Sequence, residues 1–382
     1  MSDPLATLLR AGVSLWLDDL SRERLASGSL ARLVEDQHVS GITTNPTIFA
    51  KAIADSPAYA SPLAELAARG ASAEEAVGLL TTDDVRMACD VLRPVYEATD
   101  GVDGRVSIEV DPRLAYDSDA TIAQARSLWQ TVDRPNLFVK IPAALQGLKA
   151  ISVCLAEGIS INVTLLFSLA RYGQVEQAFL TGMEQAREAG IDLAGICSVA
   201  SFFVSRVDSE VDARLDAIGS PEAEALRGQA AIANARLAYQ RYEHMLAGER
   251  WQALASVGAR PQRLLWASTS TKDPTYSDTR YVVGLVAPDV VITMPEATLR
   301  AVADHGVIPT DSIRDAYQES QEVLDRLGAL GVDYDDVVTR LEDDGISAFS
   351  ESWNQLTAAI QRRLAELGGR SGDSRGQSMA SA

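Results

Sequence analysis

A lysine sits inside a hydrophobic run, Asn136-Leu137-Phe138-Val139-Lys140-Ile141-Pro142. β-Branched and aromatic residues closed off by asparagine and proline read as a short buried strand. In such a strand Leu137, Val139 and Ile141 share one face, while Phe138, Lys140 and Pro142 share the other. Two readings of the amine are open: it snorkels out at the strand end, or it is held where a neutral amine is useful. The composition bears on the choice. Lys51, Lys140, Lys149 and Lys272 are the only lysines among 34 basic residues. Arginine can replace lysine in most surface ion pairs but cannot supply a free amine, so each surviving lysine is a candidate for chemistry.

Other short strand-like runs carry polar residues at the same parity. If Leu15 and Leu17 face outward, Asp18 faces in; Ile42 outside puts Thr43 and Asn45 inside. Val106, Ile108 and Val110 outside leave Ser107, Glu109 and Asp111 inside, and Ile161, Val163 and Leu165 outside leave Ser160, Asn162 and Thr164 inside. Ser107 and Ser160 read as structural hydrogen-bonding groups. Asp18, Glu109, Lys140, Asn162 and Thr164 together read as a set for carbonyl chemistry. An amine attacks a ketone to form a Schiff base, and the iminium accepts the electron pair of an adjacent breaking carbon–carbon bond. The proton movements need carboxyl groups of displaced pKa, for which Asp18 and Glu109 are the available pair, while Asn45, Asn162 and Thr164 would orient hydroxyls and a water.

The elements that must position these groups recur along the chain: Ser14–Asp19, Gly41–Asn45, Val106–Asp111, Leu137–Pro142, Ser160–Phe167, Ile196–Val204, Arg263–Thr269 and Val290–Pro295. Strands alternating with helical patterns predict an α/β fold, a single (β/α)8 TIM barrel, in which active sites lie at the carboxyl ends of the strands. Extra helices are expected after strands 2, 6 and 8. Ser72 and Thr82 are candidate caps in the first of these connections, Glu222–Leu246 reads as one long helix in the second, and Asp311–Leu330, Asp335–Leu341 and Ala348–Leu367 follow strand 8 and could close over the barrel mouth or its flank. Residues 1–367 form one catalytic domain on this reading, and the Gly/Ser-rich tail 368–382 is expected to be disordered. Loops after strand 7 often bind phosphate in barrels. Here that loop reads Ala267-Ser268-Thr269-Ser270-Thr271-Lys272-Asp273-Pro274, with Arg206 just after strand 6. Ser270 and Thr271 also suit ordinary turn chemistry.

The formal charge of −19 argues against nucleic acid as a general partner. Hydrophobic residues make up 47% of the 382, yet no apolar run approaches the roughly 20 needed to cross a bilayer. The first ten residues lack the pattern of a secretory signal, so a soluble cytoplasmic protein without membrane contact is expected. Cys89, Cys154 and Cys197, like His38, His244 and His305, are scattered, so no metal site is expected.

Taken in order, GITTNPTIF from Gly41, VSIEVDPRLAYD from Val106, NLFVKIPA from Asn136, INVTLLFS from Ile161, SFFVSRVD from Ser201 and LLWASTSTKDPTY from Leu264 resemble the transaldolase family, in its longer bacterial form, within the class I aldolase superfamily. The resemblance spans Val13 to Gly306. It implies that Lys140 is the Schiff-base lysine, that Glu109 and Asp18 are the acid/base carboxyls, and that Thr43, Asn45, Asn162 and Thr164 line the same cavity. Ser201, Phe203, Arg206 and Ser268 match positions near the sugar or its phosphate. Shorter family members carry an arginine two residues after the serine matching Ser268. Here that position is Ser270, and Lys272 is the next cation, so phosphate binding falls to Arg206 and Lys272. The implied reaction moves a dihydroxyacetone unit between sugar phosphates with no metal or organic cofactor, and a homodimer is compatible with it. A fructose 6-phosphate aldolase, releasing free dihydroxyacetone, is the alternative within the fold; Glu109 favours transfer, because that aldolase family resembles this one but lacks a carboxylate there. A non-catalytic sugar-phosphate-binding barrel would need the lysine and both carboxylates to be incidental.

Overall fold

Eight short aliphatic runs pair in sequence order into a closed parallel barrel: β1 (Ser14–Leu17), β2 (Val39–Ile42), β3 (Arg105–Glu109), β4 (Leu137–Pro142), β5 (Ile161–Leu166), β6 (Ser198–Phe203), β7 (Gln262–Ala267) and β8 (Val291–Met294), with β8 returning to β1. The computed structural model describes residues 3–54 and 56–378. The (β/α)8 barrel expected from the alternation is thus the fold. Because helices cover the outer face, outward residues such as Leu15, Ile42, Val106, Val139 and Val163 are fully or almost fully buried.

The lower end of the barrel, at the strands' amino ends, is sealed. Trp16 and Phe138 meet inside with ring centroids 6.0 Å apart. Below them the buried Arg105 guanidinium lies 5.1 Å from the Phe138 ring centre and 4.9 Å from that of Tyr96, and it donates to the carbonyls of Gly101 and Pro135. With that end plugged by rings and a satisfied guanidinium, the interior opens only toward the carboxyl ends of the strands. The ladder there is in a register that matters: Glu109 stands beside Lys140, Lys140 beside Asn162, and Pro142 beside Thr164.

Several local expectations are corrected. Ser72 caps a helix as expected, accepting from the Glu75 amide at 3.1 Å, but that helix runs unbroken from Ala73 to Ala98. Thr82 is therefore not a cap; its hydroxyl donates back to the Gly78 carbonyl within the same helix. The stretch Glu222–Leu246 is divided, with helices at Pro221–Glu224 and Ala230–Ala247 separated by Gly228 at φ 67°. Conversely, Asp335–Leu341 and Ala348–Leu367 belong to one helix, Tyr334–Ser378, that continues through Gly345. Gly345 allows a close approach: a Cβ there would stand 3.1 Å from Leu165 Cδ2. Leu165 itself leaves the outward face assigned to it. It adopts φ 57° where the β5–β6 register shifts, and turns toward that helix. β3 ends at Glu109, and Asp111, expected inside the barrel, instead binds the Arg113 guanidinium at 2.6 Å and caps the turn at Pro112–Leu114. The tail expected to be disordered begins where the helical backbone is still described, to Ser378, and residues 379–382 lie outside the described residues.

The long C-terminal helix Tyr334–Ser378 packs most extensively on the helix that follows β2, Pro46–Ala54, and also reaches β5. Thr47 and Ser352 share a hydrogen bond of 2.8 Å, Arg363 donates to the Ile53 carbonyl at 2.7 Å, and Arg171 pairs with Glu342. The helix is thereby held across the open end of the barrel.

The sealed end makes one position sensitive. A Cβ built at Gly41 of β2 would overlap the Trp16 indole. Gly41→Ala is expected to lower the unfolding free energy by about 1–3 kcal/mol through overpacking, read as a lower urea midpoint with an unchanged slope.

Candidate active site

The side chains that strand parity directs inward converge on a cavity of about 800 Å³ at the carboxyl ends of the strands. Asp18 and Thr43 enter it from just past β1 and β2. Their backbones extend the ladder, the Asp18 amide donating to Met294 O and the Thr43 amide to Leu17 O. Asn45 follows, and its side-chain oxygen caps the helix Pro46–Ala54 by accepting from the Ile48 amide at 3.0 Å.

Lys140 is buried to 5% side-chain exposure, so it does not snorkel out. Its Nζ donates to the Thr44 carbonyl at 3.0 Å and lies 3.3 Å from Glu109 Oε2. That ion-pair contact is off hydrogen-bond geometry, and both Glu109 oxygens are without a hydrogen-bond partner among the described residues. Burial raises the Glu109 pKa to about 7, with the Lys140 charge opposing the rise. Burial likewise raises that of Asp18, again against Lys140 first and Lys272 and Arg206 after it. Both carboxyls are therefore displaced toward holding protons nearer neutrality, and Asp18 feels the Lys140 amine most among the cations, then Lys272 and Arg206.

Asn162 is fixed between two hydroxyls: Ser201 Oγ donates to its oxygen at 2.7 Å, and its nitrogen donates to Ser107 Oγ at 2.9 Å. Thr43, Thr164 and Thr293 bury hydroxyls without partners among the described residues. An unpaired buried hydroxyl is uncommon, and its cost is removed when a ligand or water supplies the missing bond.

Cations gather after β6 and β7. Arg206 opens the helix Ser205–Ile218 with its guanidinium 5.5 Å from the Phe203 ring centre; it makes no ion pair among the described residues, and burial lowers its pKa. Lys272 donates to Ser270 Oγ at 2.9 Å, and its pKa is lowered by burial first and by Arg206 second. Both lysine and serine of the loop line the cavity. Ser268, at φ 56°, turns its hydroxyl to within 2.9 Å of that of Ser205 while its carbonyl accepts from the Ser205 amide. Strained backbone at a cavity wall is a feature of ligand-binding positions.

The expected residues thus gather around one site: Asp18, Thr43, Asn45, Lys140, Ser201, Phe203, Arg206, Ser268 and Lys272 line the cavity, and Glu109 and Asn162 flank Lys140 in the ladder, with Thr164 in the next inward position of β5 beside Pro142. Of the lining residues that were not assigned to it, two matter most, a cation and a ring. Lys51, on the helix Pro46–Ala54, is the third of the four lysines to line the cavity; the scarcity of lysine was its signal, but helical periodicity alone did not aim it inward. Phe349 comes from the C-terminal helix, 4% exposed, its ring centre 5.8 Å from Lys140 Nζ. Lys149 stays outside, paired with Asp119 on the surface. Among the described residues no group of three or more His, Cys, Asp or Glu is placed to hold a metal ion.

Residues 15–360 match the model of the transaldolase/fructose-6-phosphate aldolase family. The chain is 62% identical over 364 residues to the transaldolase of Acidothermus cellulolyticus, covering 95% of this chain and 98% of that one. It is 60% identical over 365 residues to the transaldolase of Thermobifida fusca, covering 96% and 99%, and 60% identical over 361 residues to that of Mycolicibacterium paratuberculosis, covering 94% and 97%.

The displaced Glu109 carboxyl has a consequence for stability. The folded chain holds this proton up to about pH 7, against 4.5 for the free group. Between those values the folded state binds more protons than the unfolded one, so the group's contribution to stability falls as pH rises through the window. Glu109→Gln removes the titration. Its urea midpoint is expected to fall less than that of the wild type between about pH 5 and about pH 8. An equal or larger fall would mean that Glu109 is ionised against Lys140 throughout.

Proposed function

The chain belongs to the transaldolase family, and from that premise we propose that it moves a dihydroxyacetone unit from sedoheptulose 7-phosphate or fructose 6-phosphate to glyceraldehyde 3-phosphate or erythrose 4-phosphate through a Schiff base on Lys140. The observation that carries this reading is the ladder row Glu109–Lys140–Asn162, which sets a buried amine between a carboxyl and an oriented amide.

Attack on the ketone carbon needs the neutral amine, and Glu109, 3.3 Å away, is the group positioned to take its proton and later to protonate the departing hydroxyl as water. Thr164, with its free hydroxyl, serves to hold that water beside Glu109. Asp18, which lines the cavity with Lys140, Arg206 and Lys272, takes the proton of the C4 hydroxyl; the C3–C4 bond then breaks, its electron pair passes to the iminium, and the aldose phosphate leaves. Asn45, Asn162, Ser201 and Thr43 orient the hydroxyls of the three-carbon unit that stays on Lys140. Arg206, Lys272 and Ser268 hold the phosphate, and Phe203 supports the Arg206 guanidinium from below. The same steps reversed, with a second aldose phosphate, complete the transfer without metal or organic cofactor. The chain takes part in this way in the non-oxidative pentose phosphate pathway of the cytoplasm. Its acidic balance argues against nucleic acid as a partner, and no described helix is long and apolar enough to cross a membrane.

The family model also covers fructose-6-phosphate aldolases. Glu109, buried against Lys140, favours transfer over simple release, and product measured with and without erythrose 4-phosphate separates the two.

Borohydride added with fructose 6-phosphate is expected to attach a three-carbon unit covalently at Lys140, located by peptide mass spectrometry; labelling at another lysine would sink the assignment. Lys140→Met should lose at least about 10⁴ in kcat, the scale of removing a nucleophile. Arg206→Met is expected to raise KM for phosphorylated donors by about 10–100-fold, the value of one or two charge-assisted hydrogen bonds, while Lys272→Met, more exposed, raises it less. Equal KM values in wild type and Arg206→Met would move the phosphate elsewhere.

A further inference from the structure

Two aromatic rings line the cavity, and each lies near a cation: Phe203 near Arg206, and Phe349 near Lys140. Phe203 is part of the barrel. Phe349 is not; it is brought in by the C-terminal helix, whose path is fixed by the Thr47–Ser352 and Arg363–Ile53 hydrogen bonds on one side and the Arg171–Glu342 pair on another. The Tyr334 hydroxyl anchors the start of the helix by donating to Asn234 at 2.6 Å and accepting from the Leu169 amide at 3.2 Å. Gly345, one turn before Phe349, lets the helix settle onto Leu165, whose φ of 57° turns it to meet the helix. The result is a ring held over the reactive nitrogen with its face available to a positive charge.

We infer that Phe349 is a specificity-determining residue which keeps water from the three-carbon unit on Lys140 and so decides between transfer and release. This rests on the reading of Lys140 as the Schiff-base lysine. After the first aldose leaves, Lys140 carries a neutral enamine with a nucleophilic C3. Two fates compete. In transfer, the C3 electron pair forms a bond to the aldehyde carbon of an incoming aldose, the aldehyde oxygen takes a proton from a carboxyl, the nitrogen returns to an iminium, and water adding to C2 then breaks the C–N bond to free the new ketose and the amine. In release, C3 takes a proton instead, and water then adds to C2 of the iminium, so that the C–N bond breaks and dihydroxyacetone and the free amine separate. Both fates end with water adding to C2, so they part at C3: release needs a proton there, which admitted water can deliver, whereas transfer needs the aldose in that place. An apolar ring over Nζ occupies space from which water would approach. It also offers the intermediate no proton, unlike the hydroxyls and carboxyls on the barrel wall.

The test compares Phe349→Ala and Phe349→Met with the wild type. Dihydroxyacetone released from fructose 6-phosphate without acceptor is measured against transfer to erythrose 4-phosphate, and thermal midpoints establish that each variant is folded. Phe349→Ala is expected to raise the release-to-transfer ratio by about tenfold through admitted water. Phe349→Met, which refills most of the space, should stay near the wild-type ratio. A folded Phe349→Ala that loses both rates in parallel at an unchanged ratio overturns the inference, since a merely supporting ring would act that way. Borohydride trapping of the wild type at Lys140 distinguishes the two levels of failure: if it is absent, the Schiff-base reading fails and takes this inference with it; if it is present with an unchanged ratio, only the role of Phe349 is lost.

Discussion

A buried amine and a buried carboxyl 3.3 Å apart set the terms for the rest of this molecule. Taking either charge out of water is expensive, and their attraction offsets the expense only if both are held in place. The barrel holds them by register, because neighbouring strands place Glu109 and Lys140 side by side without reliance on loops. It also leaves them incompletely satisfied. Both Glu109 oxygens, and the hydroxyls of Thr43, Thr164 and Thr293, lack partners among the described residues, so the barrel's own side chains do not satisfy all of its buried polar groups. The plug of Trp16, Phe138 and Arg105 at the other end gives a ligand one approach.

The approach is electrostatically selective against the sign of the whole chain. A net charge of −19 repels sugar phosphates at long range. Three of the four lysines, with Arg206, line the cavity at the carboxyl ends of the strands, where we propose that the sugar phosphate binds. Most other basic residues are arginines engaged with carboxylates around the outside, as Arg126 is with Glu157 and Arg250 with Glu184. The chain thus divides its cations by kind: guanidinium groups mostly serve ion pairs, while amines are concentrated where a point charge or a nucleophile is useful.

The sequence makes the barrel and most of its site legible because a parallel strand covered by helices must alternate apolar and inward residues, and the alternation reports the inward face directly. The inward placement of Asp18, Glu109, Lys140 and Asn162 follows from that rule alone. The rule fails where the backbone leaves the ladder. Asp111 lies past the end of β3 and turns to Arg113, and Leu165 sits at a register shift with positive φ. Helix boundaries fail for a related reason. Thr82 has the chemistry of a cap but donates within its own helix, and Gly345 has the chemistry of a break but serves close packing. Phe349 and Lys51 show the deeper difficulty. Nothing local to either residue tells which face of its helix meets the barrel, since that depends on contacts with segments far away in the chain.

The origin of Phe349 also sets an order in time. About two hundred residues separate it from Lys140, and the eighth strand ends at Met294, well before it. At a synthesis rate of about 5–20 residues per second, the reactive strand leaves the ribosome roughly 10–40 seconds before the ring that covers it. The strands of the barrel can pair in that interval while its roof is still being made. The nascent chain therefore acquires the buried amine of Lys140 first and the Phe349 ring that lies over it last.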